Sequence, residues 1–373
     1  MQLELKETDS GKVLHMNRIL AINPGSTSTK VGIYEEELLV FQRTVTHSEG
    51  EISQFPELFD QMDFRCAVVK KVLEKTGITP ETVTAIAARG GLLPPVKAGA
   101  YLVTPVMMDY LRNRPQLIHA SNLGAEIAYR LGAPYNIPCY VYDPVTVDEM
   151  LPVYKITGLA EFERRALGHN LNMRAMAYRY AREQQMSYSD LTLIVAHLGA
   201  GITLTLHDKG RMIDMINDEE GPFSPERTGG LPAGMLIDFA LSGKHTHTEL
   251  HKILKTGGGL KSHLGTKDAR EVEKRIEAGD EKAKLVYEAM ALAVARWIGV
   301  LAVDVKGEVD AIILTGGIAY SKYLTSLIRD HVSFLAPVVI YEGEDELNAL
   351  AGGILRVLRG EEEAYILSED ELK

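Results

Sequence analysis

Cysteine is scarce: the 373 residues hold two, Cys66 and Cys139. Two thiols cannot build a disulfide framework or a four-ligand zinc site, so they read as core filler in a protein of the reducing cytoplasm. Positive charge is in deficit as well, with 40 Lys and Arg against 51 Asp and Glu and a net charge of −11. That balance opposes general attraction to nucleic acids or anionic membranes, so an anionic ligand needs local cations. The first ten residues are acidic and polar, without the apolar core of a signal peptide. The most apolar stretch, Ala289 to Val305, is interrupted by Arg296 and reads as too short to span a bilayer. A Walker pattern is missing too: Gly243-Lys244 precedes His245, and Asp238 fills the earlier glycine position, so a nucleotide site here is not a P-loop.

What is present is ordinary globular composition, 46% hydrophobic and 24% charged. At this length the chain has room for two domains. Arg18 to Ile22 is a short apolar run that stops at Asn23-Pro24-Gly25-Ser26-Thr27-Ser28-Thr29 and resumes as Val31 to Tyr34; Leu38 to His47 follows after an acidic turn. This is the grammar of an antiparallel meander. It returns in the middle of the chain, where Leu191 to Ala196 leads into His197-Leu198-Gly199-Ala200-Gly201, then Ile202 to Leu206 and Arg211 to Ile216. A repeat at about half the chain length predicts two domains of like topology rather than a solenoid of short units.

Helical and strand patterns alternate around the meanders. Helices are expected over Pro56 to Lys75, Glu161 to Glu183, Glu281 to Val303 and Leu347 to Arg359. Strands Val83 to Ala88, Cys139 to Tyr142 and Asp310 to Leu314 deliver Arg89-Gly90-Gly91, Asp143-Pro144 and Thr315-Gly316-Gly317 at their ends, where ligands sit in α/β sheets. Pro337 to Tyr341 reads as the last strand. Residues 1 to 15 show no apolar periodicity and read either as a floppy extension or as a start placed upstream of Met16.

The loop from Asn23 to Lys30, with Ser26 and Ser28 among its hydroxyl residues, could hold phosphate oxygens through backbone N–H groups, hydroxyls and an ammonium; it could equally be a hairpin turn capping its own backbone. The glycine turn at Gly199 and Gly201, and the pair Gly316-Gly317, add two more places where backbone can approach a ligand. His245, His247 and His251 tempt a metal assignment, but Thr246-x-x-Glu249 is a capping box and a solvated helix start is the simpler reading. Gly257-Gly258-Gly259 reads as a flexible loop, and Met173 to Met176 as core.

Six ordered motifs carry a resemblance: Asn-Pro-Gly-Ser-Thr-Ser-Thr-Lys at 23 to 30, Arg-Gly-Gly at 89 to 91, Tyr-Asp-Pro at 142 to 144, His-Leu-Gly-Ala-Gly at 197 to 201, Pro-Glu-Arg-Thr-Gly at 225 to 229 and Thr-Gly-Gly at 315 to 317. From about Met16 onward the chain resembles the acetokinase family. Arg89 to Pro94, Ala120 to Gly124 and Ser224 to Arg227 most resemble its butyrate kinase branch.

The resemblance implies an α/β fold of two duplicated actin-like (ribonuclease H-like) ATPase domains with nucleotide in the interdomain cleft. The expected boundaries are 16–147 plus 348–373 for the first domain and 148–347 for the second. It implies reversible transfer of the γ-phosphoryl of ATP to butyrate or a similar carboxylate, with Mg2+, and self-association as a dimer or higher oligomer. By the same resemblance Arg89, Arg227, Asp143, His169 and His197 are the catalytic residues, and Asn23, Asp143 and Glu346, favoured over Asp345, are associated with the metal. Asn23, Ser26, Ser28, Lys30, Gly199, Gly201, Gly316 and Gly317 would bind the nucleotide.

Acetate kinases carry bulky apolar residues near the positions matched by Gly91 and Gly168, so these glycines suggest a roomier acyl pocket. At about 0.8 kcal/mol per methylene, butyrate would gain roughly 1.6 kcal/mol over acetate, a factor of about 15. Acetate or propionate kinase activity, a slow regulatory ATPase and a sugar-kinase-like enzyme are the alternatives.

Overall fold

The computed structural model describes residues 16–372; the expectation for residues 1 to 15 lies outside the described residues. The chain divides into two compact units, one made of the residues up to Thr146 together with those from Asp345 onward, the other of Val147–Glu344.

The first unit is built on β1 (Arg18–Pro24), β2 (Ser28–Glu35), β3 (Leu38–Thr46), β4 (Ala85–Arg89), β5 (Ala100–Leu102) and β6 (Cys139–Tyr142), completed by the short strand Ala364–Tyr365. The sheet order is Ala364–Tyr365, β5, β6, β4, β1, β2, β3. Ile19 to Ile22 of β1 and Ala85 to Ala88 of β4 are buried on both faces, as their continuous apolar runs require of central strands. The helix Met62–Thr76 ends at Gly77, whose φ of 68° is the left-handed cap that the glycine promised.

The second unit repeats this plan with β7 (Thr192–Leu198), β8 (Ile202–Asp208), β9 (Arg211–Ile216), β10 (Ala311–Gly316) and β11 (Val338–Glu342). Its order is β11, β10, β7, β8, β9, which matches β6, β4, β1, β2, β3 strand for strand. In both units a meander of antiparallel strands pairs its first strand in parallel with the fourth, β1 with β4 and β7 with β10. The duplication read from the two turns is therefore a duplication of sheet topology.

Core residues cover both faces of the second sheet. The helices Glu281–Asp304 and Lys322–Val332 bury Tyr287, Met290, Ile298 and Ile328 against one face, and Met173 and Ala177 of the helix Asn170–Glu183 pack on the other. Both cysteines are buried and unpaired, and burial pushes the Cys139 thiol up to about 12.

Four expectations need correction. The helix expected over 161 to 183 begins at Asn170. Before it, Arg164 turns inward to Asp214 and Glu220, both at 3.0 Å, Ile156 bridges Glu163, and His169 has a non-helical ψ of 47°. The apolar helix Glu281–Asp304 has 24 residues, so it is long enough to cross a bilayer by length and composition. Its buried stripe nevertheless packs inside the second unit.

The triple glycine is not a loose loop. A Cβ on Gly259, at φ +57°, would lie 1.6 Å from the Ser224 carbonyl oxygen, and the Leu260 N–H donates to that same oxygen at 3.2 Å. The chain also returns to the first unit at Asp345, three residues earlier than expected, which transfers Glu346 from the second unit to the first. The reason is local: Asp345 caps the helix Glu346–Leu358 by accepting the Asn348 N–H, and that helix packs on β1.

Candidate active site

In the first unit, β1 and β2 place Asn23 opposite Lys30 across the ladder, and the intervening turn closes with the Gly25 N–H on the Ser28 carbonyl at 2.8 Å. The end of β4, the neighbour of β1, delivers Arg89. These residues line a cavity of about 270 Å³ together with Gly25, Ser28, His119, Ser121 and Glu346. Asn23 Nδ2 donates to the Glu346 carboxylate. Glu346 also lies 3.5 Å from Arg89 Nε and 3.9 Å from Lys30 Nζ.

Arg89 is buried, and its Nη1 has no hydrogen-bond partner among the described residues. A buried guanidinium N–H without an acceptor is costly, and a carboxylate or phosphoryl oxygen is the ligand that would satisfy it. Burial, and then the charge of Arg89, push the His119 imidazole below its ordinary value, so it is neutral at pH 7.

Not every expected residue joins this cavity. Asp143 is fully buried at φ +39° and exchanges hydrogen bonds with Gly99, its Oδ1 accepting the Gly99 N–H at 2.7 Å and its own N–H donating to the Gly99 carbonyl at 3.1 Å. It does not line the cavity. Ser26 is exposed and does not line it either, and its carbonyl accepts from Arg65. Asp345 is occupied as a helix cap, whereas Glu346 faces Asn23, Lys30 and Arg89.

The second unit has a larger cavity, about 790 Å³, lined by His169, His197, Gly199, Gly201, Asp218, Arg227, Gly317 and Glu344 among others. The two imidazoles stack with centroids 3.9 Å apart and planes 7° from parallel. Asn172 Nδ2 donates to His197 Nδ1 at 2.9 Å and to Thr315 Oγ1 at 3.2 Å. That arrangement assigns the His197 proton to Nε2, which lies 3.5 Å from Glu344. His169 is held through Nδ1 by Thr203 Oγ1 at 3.0 Å.

Arg227 Nε donates to Asp218 at 2.8 Å, and its backbone N–H donates to Ser224 Oγ at 3.0 Å. Gly316 stays outside the cavity. Its φ of +92° and the Leu198 carbonyl oxygen 2.5 Å from where a Cβ would sit explain the glycine by backbone crowding at the end of β7.

A model of the acetokinase family matches residues 164–341. A probable butyrate kinase 2 of Caldanaerobacter subterraneus subsp. tengcongensis is 48% identical over 348 residues, spanning 93% of this chain and 98% of the relative. The chain belongs to the acetokinase family. The fold agrees. Porphyromonas gingivalis acetate kinase superposes with a TM-score of 0.74 at 17% identity, covering 92% of this chain and 100% of that one. The acetate kinase of Entamoeba histolytica gives 0.75 at 16%, covering 90% and 98%. Two actin-like α/β units with mixed sheets are the shared architecture.

Within this acetokinase the two glycines read as pocket-openers do something else. A Cβ on Gly91 would lie 2.6 Å from Asn122 Oδ1, 2.7 Å from Asn122 Cα and 2.8 Å from Leu111 Cδ2. A Cβ on Gly168 would meet Met215 Sδ at 3.0 Å. The volume released by each glycine is already filled by its own unit, so neither widens an acyl pocket in the direction its side chain would take.

Sequence reasoning passed over several neighbours of the site. Ser121 lies within the Ala120 to Gly124 stretch but was given no role, His119 immediately precedes that stretch, and Asn172 stands in the first turn of the helix that His169 precedes. Asp218 and Arg65 carry no local signal. The histidines at 247 and 251 do sit in a capped helix start: Thr246 and Glu249 form the capping box, and no group of three or more His, Cys, Asp or Glu among the described residues could hold a metal by itself.

Proposed function

We propose that this acetokinase transfers the γ-phosphoryl of ATP reversibly to butyrate or a similar short- or branched-chain carboxylate, giving the acyl phosphate and ADP. The observation that carries this reading is the buried Arg89 guanidinium, whose Nη1 lacks an acceptor beside Lys30 and one carboxylate, Glu346. A carboxylate attacking a phosphoryl group brings two anions together, a repulsion of about 4 kcal/mol at about 4 Å and an effective dielectric near 20. Fixed guanidinium groups offset it, and a nucleophile already ionised at pH 7 needs no general base.

In this reading Arg89 and Arg227 orient the carboxylate and stabilise the equatorial oxygens of the transferring group. His197 donates from Nε2, and His169 stacked on it donates in the same way. Asn23, Ser28 and Lys30 hold phosphate oxygens. The cavity bearing Gly199, Gly201 and Gly317 has the volume of a nucleotide site.

Glu346 and Asn23 present hard oxygen donors that fit Mg2+, which usually takes one or two carboxylates together with substrate phosphates. Mg2+, when bound with nucleotide, neutralises the phosphate charge. Asp143 acts at one remove, by fixing the turn at Gly99.

The preference for a four-carbon acid rests on the close relative and on the branch-specific motifs rather than on Gly91 or Gly168. We also infer self-association, for which the helix Ala233–Leu241, with no residue buried and with Met235, Ile237 and Leu241 exposed around it, supplies apolar surface. Two buried unpaired thiols suit the cytoplasm.

The deciding experiment measures ADP release with and without butyrate and traps acyl phosphate as hydroxamate across acetate, propionate, butyrate and isobutyrate. Acid-dependent turnover with the highest kcat/KM for a four-carbon acid is expected. ATP turnover indifferent to acid defeats the kinase reading, and acetate as the best substrate defeats the butyrate assignment.

A further inference from the structure

The turn that follows Asn23 rests on a cation. Arg65, on the helix Met62–Thr76, is 0% exposed. A guanidinium has five N–H donors, and all five are used here. Nη1 donates to the Ser28 carbonyl at 2.8 Å and to Thr29 Oγ1 at 2.9 Å; Nη2 donates to the Ser26 carbonyl at 3.2 Å and to Gln61 Oε1 at 2.9 Å; Nε donates to Gln61 Oε1 at 3.2 Å.

Every acceptor is neutral. Among the described residues Arg65 has no carboxylate partner, and burial alone lowers its pKa, to about 10, so it stays charged at neutral pH. The neighbouring His47, bonded to Thr29 Oγ1 at 2.9 Å, is kept below its ordinary value by burial and then by Arg65, so it adds no second charge.

A buried charge with saturated hydrogen bonds and no counter-ion is an expensive feature. A neutral side chain could brace a turn with less desolvation. The arrangement makes physical sense when an anion spends time on the opposite face of the turn, where Gly25 and Ser28 line the cavity with Lys30 and Arg89. Holding the Ser26 and Ser28 carbonyls against the guanidinium also takes two negative dipole ends away from that anion.

We propose that Arg65 is a positioning residue for the turn between β1 and β2 and supplies, through the turn, positive potential to a phosphate or phosphoryl group bound against it. The proposal rests on the phosphoryl-transfer reading and assigns the turn, rather than the side chains of the cavity alone, to phosphate recognition. A unit charge roughly 8 Å from an anion at an effective dielectric near 20 changes its affinity about tenfold or more.

The test uses Gln61→Glu in the full-length chain. This isosteric change keeps both acceptor contacts to Arg65 and supplies the missing counter-charge. Binding of inorganic phosphate and, separately, of adenosine is measured by calorimetry, and melting is recorded for each protein. The expected result is melting at or above that of the parent, phosphate affinity weakened about tenfold, and adenosine affinity unchanged within about twofold. Arg65→Met should weaken phosphate by a similar factor without the gain in melting, and it serves as the second measurement if Gln61→Glu does not fold. A folded Gln61→Glu or Arg65→Met protein that keeps phosphate affinity within about twofold overturns the role of Arg65. A parent protein that neither binds phosphate nor shows acid-dependent ADP release overturns the kinase reading instead, and with it this proposal.

Discussion

Replacing Gly91 by alanine separates two accounts of that residue. In the structure the added Cβ would sit 2.6 to 2.8 Å from Asn122 and Leu111. Asn122 cannot yield freely: its Oδ1 accepts the Leu92 N–H at 2.9 Å and its Nδ2 donates to the Leu117 carbonyl at 3.0 Å. Overpacking of this kind costs about 1–3 kcal/mol, and losing one of those bonds adds about 1 kcal/mol, so Gly91→Ala should be destabilised by about 2–4 kcal/mol. Urea unfolding gives the stability, and kcat/KM for acetate and butyrate gives the specificity. The expected outcome is a clearly lower midpoint with the butyrate-to-acetate ratio unchanged within about twofold. Stability within about 0.5 kcal/mol of the parent, joined to a roughly tenfold fall in that ratio, would refute the packing argument and restore Gly91 as a pocket wall. Gly168→Ala provides the internal contrast, because its nearest obstacle is the flexible Met215 thioether and the cost should stay below about 1 kcal/mol.

Arg89→Gln should lower kcat/KM by a factor of about 100–1000 while melting near the parent, since it removes a charge whose Nη1 makes no internal hydrogen bond; steady-state kinetics with calorimetric melting checks both. His207 is fully buried between Tyr188 and Thr205, and burial depresses its pKa from 6.5 to about 3. The unfolded chain therefore takes up this proton first, so stability is lost as pH falls from 6.5 towards 3. His207→Gln should remove about 2 kcal/mol of the decline between about pH 6.5 and 5, measured by urea unfolding at each pH. Asp214, paired with Asp304, has the opposite sign: burial raises it above the ordinary carboxylate range, so the folded state takes up this proton first and its contribution to stability grows as pH falls, opposing the loss at His207. Gly259→Ala, at φ +57° and facing the Ser224 carbonyl, should lose phosphoryl transfer by displacing the segment that carries Arg227, and limited proteolysis should report newly exposed bonds at 224–230.

The chain's own order of residues determined the local parts of this protein. Apolar runs broken by turn formers specified both meanders, Gly77 and Thr246 specified helix ends, and Asn23, Arg89, His197 and Gly317 fell at or just after the C-terminal ends of interior strands. Each of these follows from neighbours a few positions apart, where periodicity and backbone preference act.

Tertiary structure alone decided which side chains meet. Glu346 reaches Asn23 from the far end of the chain, Arg65 donates to a turn almost forty positions earlier, and Asp218 accepts from Arg227. It also decided what the glycines are for: Gly91 and Gly168 leave room that Asn122, Leu111 and Met215 occupy, and Gly259 admits a carbonyl. A missing side chain marks a close approach in the sequence without naming the partner, because that partner is set by strand register and helix packing across long separations.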